Sequence, residues 1–287
     1  MYQIKKFKDK NYDIYELNDV EANSWLKVAP ERGGMIIEFG VQGKELLFLN
    51  KETFYQSDAN VRGGIPILFP ISGQLENGEY EWEGKTYKMK NHGLARNYAW
   101  EVVDTRNNNE ASITVSLKSN EEMKKSFPFE FEVNFTYVLK KHTLKIVQEY
   151  KNQSDMKMPM YPGFHPYFRT AHKNMTYETD AKTFLDYNDM KIKEVSQGLD
   201  LMVKRESLVL LDAIKKEISF ELPEIKKKVQ ITYGDEFKYV YLWTESGQDF
   251  LCVEPWMAMT NELNRKEELV FVSPRESLIT EMTISAE

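Results

Sequence analysis

Residues 129–150 read FEFEVNFTYVLKKHTLKIVQEY. Apolar and polar side chains alternate through Phe129–Leu139 and again through Leu144–Tyr150, the period of a pleated strand with one face buried. Lys140–His142 separates the two runs. The spacing predicts one extended antiparallel hairpin, too long and too regular in its period of two to be helical. Working outward, shorter β-rich runs occur at Tyr12–Glu16, Met35–Phe39, Tyr80–Lys88, Trp100–Val103 and Ser112–Leu117. Others follow at Lys228–Tyr233, Tyr239–Thr244, Phe250–Val253 and Leu278–Ile284. Glu83-Gly84 and Asn107–Asn109 supply turn chemistry between neighbouring runs. Helical pattern is confined to a turn or two at Lys51–Gln56 and Glu121–Ser126, and Asp189–Asp212 reads as loop mixed with short strands. Many strands without regular helices predict an all-β protein of antiparallel sheets packed face to face. The absence of a linker or repeat favours one domain over residues 1–287, the alternative being a split near Asn152–Met158.

The chain has 287 residues, 41% of them hydrophobic and 29% charged, which suits a sizeable core under a solvated surface. Acidic residues outnumber basic ones, 45 to 38, for a net charge of −7. That balance argues against a nucleic-acid or anionic-membrane partner, while leaving room for two or three arginines to hold one phosphate. The single cysteine, Cys252, excludes an intrachain disulfide and a cysteine-based metal cluster. The opening residues, MYQIKKFKDKNYDIY, lack a secretory apolar stretch, and no apolar run approaches the roughly 20 residues of a membrane span. The expectation is a cytoplasmic protein, monomeric or homodimeric.

Three segments mix apolar residues with isolated ionisable groups, a composition suited to the wall of a concave site. The first pairs VRGGIPILFPISG (61–73) with NHGLAR (91–96) and offers Arg62, Asn91, His92 and Arg96. Taken alone, Gly-Gly-x-Pro is an ordinary turn and Arg62 an ordinary surface ion. The second, YPGFHPYF (161–168), fixes His165 between prolines in an aromatic setting, where an imidazole can serve as a general acid or sit inert in the core. The third, FLCVEPWMAMTNELN (250–264), ends an apolar strand on Glu254, beside Pro255 and Trp256; a half-buried carboxyl there has the raised pKa of a useful base, unless it turns to solvent. An acid and a base brought to one cleft, a pyranose apart, suffice to open and reclose a sugar ring without metal, cofactor or covalent intermediate.

The motifs RGGIPILFPISG, NHGLAR, GFHPYF and VEPW, in this order from Val61 to Asn264, resemble those of the aldose 1-epimerase (galactose mutarotase-like) superfamily. The RGG-x-P opening is nearer the hexose-6-phosphate mutarotase-like branch. The resemblance implies a large antiparallel β-supersandwich with a sugar in a cleft on one sheet. It implies His165 as the acid at the ring oxygen, Glu254 as the base at the C1 hydroxyl and His92 as a second histidine that polarises the sugar. Arg62 matches a substrate-binding arginine and Arg96 one associated with sugar phosphates, with Lys88 a weaker third; Asn91 and Trp256 complete the expected binding set. The aspartate with which galactose mutarotases read sugar hydroxyls has no assignable counterpart, although Asp180, Asp186 and Asp189 lie in the right stretch. Asn261 and Asn264 could be cleft donors or turn residues, and Tyr161, Trp243, Trp100 and Trp82 could face a sugar or the core. His172 lies seven residues beyond His165, a poor ligand spacing, and no metal site is expected. A non-catalytic sugar-binding protein on the same fold is the alternative. A glycoside hydrolase would usually need a second paired carboxylate, and only Glu254 is well marked.

Overall fold

The computed structural model describes residues 1–202 and 205–287. The predicted hairpin is its longest pairing. Phe131–Lys140 and Thr143–Asn152 align in unbroken register from Phe131 opposite Asn152 to Lys140 opposite Thr143, around a two-residue turn in which Lys141 takes positive φ. This hairpin lies inside an eight-stranded antiparallel sheet. Ala111–Lys118 and Glu101–Arg106 extend it on one side; Ser277–Ala286, Lys227–Tyr233, Glu217–Leu222 and Tyr177–Glu178 extend it on the other. Alternate residues on its long strands are buried: Phe131, Val133, Phe135, Tyr137 and Leu139 face the core while their neighbours stay partly wet. That is the pattern a one-sided antiparallel sheet requires.

A second eight-stranded sheet covers that apolar face. Its order is Lys191–Glu194, Thr183–Asp186, Leu208–Leu210, Tyr239–Trp243, Phe250–Trp256, Gly163–Phe164 and Ile67–Leu68, with Tyr167–Arg169 also paired to Phe250–Trp256. Aromatic contacts join the two sheets, Phe69 to Phe131 at 5.0 Å between ring centroids and Phe135 to Phe164 at 6.0 Å. A five-stranded amino-terminal sheet, Tyr2–Asp9 through Lys44–Glu45, packs alongside, and two strand pairs, Met158–Met160 with Val270–Val272 and Glu79–Trp82 with Lys85–Lys88, complete the described fold. The amino-terminal sheet is tied in where the Tyr137 hydroxyl donates to the Gly34 carbonyl at 2.6 Å. One cluster of buried apolar side chains runs from Leu17 to Ala286. The arrangement is the expected all-β architecture of packed antiparallel sheets.

Several elements differ from the sequence reading. The edge strand Tyr2–Asp9 was not anticipated, because its lysines at 5, 6 and 8 face solvent and leave no apolar alternation. Such charges suit an unpaired sheet edge. Thr183–Asp186 and Glu217–Leu222 are strands outside the predicted set, the first too short to show a period. Lys51–Tyr55 and Glu121–Lys124 are single helical turns capped by Asn50 and Asn120, while the helical turn Glu262–Arg265 was unforeseen. No helix among the described residues is long and apolar enough to cross a membrane.

Candidate active site

Strand Phe250–Trp256 is buried along its whole length, on both faces. Leu251 and Val253 join the main core, whereas Phe250, Cys252 and Trp256 belong to small separate clusters on the other face of the sheet. The period of two therefore delivers Glu254 to that second face. Across the ladder, Tyr167 pairs with Cys252 and Gly163 with Trp256. Both pairs lie two residues from the point midway between them, so the same register sets His165 directly opposite Glu254. Pro166, which has no N–H to donate, interrupts the partner strand between these pairs and splits it in two. Gly163 is required where Trp256 crosses it: an added Cβ would lie 2.6 Å from the indole.

The result is a cross-strand pair. His165 Nδ1 and Glu254 Oε1 are 3.5 Å apart, with the residues 6% and 2% exposed. They adjoin one another on the cleft floor, closer than the pyranose-wide gap that the sequence reading anticipated, because a ladder register sets their spacing. His165 Nδ1 and Glu254 Oε2 have no hydrogen-bond partner. Buried polar groups without partners are exceptional and call for an explanation. Burial pushes the Glu254 carboxyl well above the usual carboxylate range; the Trp256 indole N–H lies near enough to oppose the rise without closing a hydrogen bond. Burial, reinforced by the positive charges of Arg96 and Arg62, lowers the His165 imidazole to about 3. Both shifts favour an uncharged pair, a carboxylic acid beside a neutral imidazole, which holds the same single proton as a carboxylate beside an imidazolium.

Aromatic rings hold the pair in place. His165 stacks on Tyr167 with centroids 4.6 Å apart and planes within 6°, and the edge of Trp243 meets it at 5.8 Å. Tyr241, opposite Glu254 on the next strand, stacks on Trp256 at 3.7 Å. His92 arrives from the NHG turn at φ 63°, its ring 5.4 Å from that of His165. Its backbone N–H donates to the Gly73 carbonyl at 2.7 Å, and the Gly73 N–H returns a bond to His92 Nδ1 at 3.0 Å. An Nδ1 that accepts leaves the proton of the neutral ring on Nε2. Burial, with the neighbouring His165 and the two arginines, holds the His92 pKa well below its ordinary value, so this ring is neutral.

These residues line a cleft of about 340 Å³ with Arg62, Gly73, Gln74, Asn91, Tyr187, Arg205, Glu206, Ser207 and Thr260. Arg62 stands at its side, half-exposed, its Nε 3.3 Å from Glu245 and its guanidinium over the Trp243 ring at 5.3 Å. The helical turn Lys51–Tyr55 anchors it: the Arg62 N–H donates to Thr53 Oγ1, and its carbonyl accepts from Asn50. Gly63 and Gly64, both at positive φ, let the next residues pass against the backbone of Phe48, Leu49 and Ile36, where a Cβ would lie within 2.5 Å of carbonyl oxygens.

Six of the seven residues singled out from sequence thus meet at one cleft: His165, Glu254, His92, Arg62, Asn91 and Trp256. Arg96 does not line it. Its guanidinium bonds the Asn91 carbonyl at 2.8 Å and borders a separate hollow with Arg32 and Pro66; there it acts on the site through charge and through the NHG turn. Lys88 is exposed, paired with Glu79, and borders an adjoining hollow that shares Gln74 and Asn91 with the cleft without lining the cleft itself. Asp180, Asp186 and Asp189 do not line it either, and Glu206 is the second carboxylate on its wall. Asn261 and Asn264 serve as turn residues, bonding the backbone of Glu76 and Glu79. Tyr161, Trp100 and Trp82 pack in or against the core, while Trp243 joins the cleft. Arg205, Glu206 and Ser207 escaped the sequence reading because they lie in the aperiodic stretch 189–212; the pairing of Leu208 with Leu242, and the Trp243 indole N–H donating to the Arg205 carbonyl at 3.2 Å, bring them to Trp243.

Comparison with known proteins agrees with this architecture. The chain superposes over 100% of its length on Slr1438 protein from Synechocystis sp. PCC 6803, covering 99% of it, at a TM-score of 0.92 and 33% identity. A galactose mutarotase-like protein from Clostridium acetobutylicum shares the fold at a TM-score of 0.83 and 19% identity, with 100% of this chain and 98% of that one covered. Among curated proteins, one from Cenchrus ciliaris that is provisionally named a glucose-6-phosphate 1-epimerase is 26% identical over 239 residues, 74% of this chain and 69% of its own. Residues 22–272 match the family model described as aldose 1-epimerase, and the chain belongs to that family.

Proposed function

We propose that the chain is an aldose 1-epimerase that interconverts the α and β anomers of a hexose or hexose phosphate by acid–base opening and closure of the ring. The observation that carries this reading is the His165–Glu254 pair, two buried titratable groups 3.5 Å apart at the floor of an aromatic cleft, each with an unpartnered atom. The two oxygens that exchange protons in anomerisation sit on one sugar carbon, so an adjoining acid and base can serve both. Glu254 as carboxylate removes the C1 hydroxyl proton while His165 as imidazolium protonates the ring oxygen. Ring opening leaves a carboxylic acid beside a neutral imidazole, the split of the shared proton that burial favours. Rotation about C1–C2 and return of both protons close the ring with either hand. The Nε2–H of neutral His92 donates to a sugar oxygen, Trp256 and Tyr241 wall one side, and Asn91 adds a polar contact.

A phosphorylated substrate is supported by two guanidiniums on the cleft wall, Arg62 and Arg205, either of which can form charge-assisted bonds to a phosphate. Arg96, set behind the wall, supports Asn91 and shapes the potential around His165. Polarimetry on freshly dissolved α-glucose and on glucose 6-phosphate tests both levels of the proposal. Faster decay of rotation than in buffer, lost in Glu254→Gln, is the expected result. A protein that binds sugars without accelerating anomerisation is instead a non-catalytic carbohydrate-binding protein on this fold.

A further inference from the structure

Cys252 takes no part in the proton exchange, yet the strand places it at the reacting pair. It lies two residues before Glu254 on the same face and directly across the ladder from Tyr167, on which His165 stacks. One ligand atom each from His165, Cys252 and Glu254 fall within 4.8 Å of one another, and all three residues are buried. This grouping of a thiol, an imidazole and a carboxylate was not visible as a ligand set in the sequence. His165 and Glu254 are more than eighty residues apart, and the metal spacing weighed there, His165 with His172, is not the one the fold assembles.

We propose that His165, Cys252 and Glu254 form a site for a soft divalent cation of the Zn²⁺ class, reached from the cleft, and that its occupancy is incompatible with anomerisation. Three arguments carry it. The first is geometry: tetrahedral zinc bound at about 2.0–2.3 Å needs ligand atoms roughly 3.5 Å apart. The imidazole and carboxylate already meet that spacing at 3.5 Å, and the thiol lies within 4.8 Å of both. The second is chemistry, since one sulfur, one nitrogen and one oxygen ligand suit zinc rather than magnesium or calcium, and the cleft leaves a fourth position for water or a sugar oxygen. The third is that His165 Nδ1, the nitrogen 3.5 Å from Glu254 Oε1, is buried without a hydrogen-bond partner, so coordination through Nδ1 and Oε1 satisfies a nitrogen that the apoprotein leaves unsatisfied.

The charges balance. The cation binds as Zn²⁺ with one thiolate, one carboxylate and one neutral imidazole, a neutral cluster in a dry site. The thiol proton and the single proton of the His165–Glu254 pair leave to solvent. Arg62, Arg96 and Lys173 oppose an arriving cation, and the two anionic ligands in direct contact outweigh those more distant charges. With the metal seated, neither residue can pass a proton to a sugar.

The binding claim does not depend on the proposed reaction; the inhibition claim does, and the two are read separately. The chain of residues 1–287 is loaded with one equivalent of Zn²⁺, and its coordination is read by X-ray absorption. One sulfur scatterer at about 2.3 Å together with nitrogen or oxygen scatterers near 2.0 Å is expected. A shell of nitrogen and oxygen alone, or no retained zinc, overturns the site without recourse to any variant. Co²⁺ in place of Zn²⁺ gives a thiolate-to-cobalt charge-transfer band, expected in the wild type and lost in Cys252→Ser; a band that persists in folded Cys252→Ser counts equally against the site. Cys252→Ala should keep its metal-free anomerisation rate within about twofold of wild type while its zinc inhibition constant rises at least about tenfold. Equal inhibition of wild type and Cys252→Ala refutes the inhibition claim even if zinc binds.

Discussion

The two eight-stranded sheets have the same number of strands and opposite constructions. The sheet around residues 131–152 is made of strands of six to ten residues over most of its width, with its outer face wet and its inner face apolar. No carboxylate or imidazole is buried in it among the described residues. The sheet around residues 250–256 is assembled from strands of two to seven residues, is broken at Pro166, and buries its central strand Phe250–Trp256 on both faces while its edge strand Lys191–Glu194 is largely exposed. It holds His165 and Glu254 in the dark without full hydrogen bonding. Both sheets bury some unpartnered polar atoms, Ser116 and Gln148 among those of the first; what sets the second apart is that its buried, incompletely paired groups are titratable, and such groups cost stability while they suit proton transfer. One sheet carries most of the regular core, and the other carries the candidate site.

The sharpest test of that division is in the regular sheet. Phe135 contacts Trp100, Tyr150 and Phe164 at its centre. Phe135→Ala should cost about 3–5 kcal/mol of stability by denaturant unfolding, while the protein that remains folded keeps its turnover number. A large drop in turnover per folded molecule would merge the roles of the two sheets. The converse substitution, Glu254→Gln, should reduce anomerisation about 10²-fold or more and leave the melting temperature within a few degrees. Near-wild-type activity there would remove Glu254 from the reaction. A smaller effect belongs to the cleft wall: Arg62→Met should raise KM for a hexose 6-phosphate about tenfold and leave KM for the free hexose unchanged. Equal effects on both substrates would assign Arg62 to the sugar ring or to the fold.

The smallest effect is a pH dependence where the amino-terminal sheet meets the sheet that carries the cleft. Glu45 accepts from the N–H groups of Phe39 and Leu47, yet its other oxygen is buried and unpartnered, and burial raises its pKa from 4.5 to about 7. The folded chain therefore retains a proton that the unfolded chain releases above pH 4.5. Stability should fall as pH rises from there to about 7, by about 1–3 kcal/mol from this group. Glu45→Gln should flatten that slope in thermal melts between pH 5 and 8; an unchanged slope places the titration elsewhere.

Legibility in the sequence followed the same division. Strands such as Phe131–Lys140 announce themselves because one wet face and one dry face write an alternation into the residues. Strands buried on both faces, such as Leu208–Leu210, and charged edges such as Tyr2–Asp9 carry no such signal. Of the cleft residues, those in dense local motifs were readable: His165 between prolines, Glu254 before Pro255, His92 between Asn91 and Gly93. Arg205, Glu206, Ser207 and Tyr241 were not, because nothing around them in the chain marks a site and only strand pairing carries them to it. Arg96 shows the converse, a residue in a strong motif that ends up behind the wall.

Local chemistry, written residue by residue, was sufficient to determine the fold class, the long hairpin and the types of group at the site. Register was left to the tertiary structure. A ladder aligning Tyr167 with Cys252 and Gly163 with Trp256 is a long-range pairing that no local propensity specifies, and a slip of one residue would turn His165 or Glu254 into the core. That alignment sets the distance between the imidazole and the carboxyl and puts the thiol on the same face of the strand, while other long-range pairings bring Arg62 and Arg205 to the cleft.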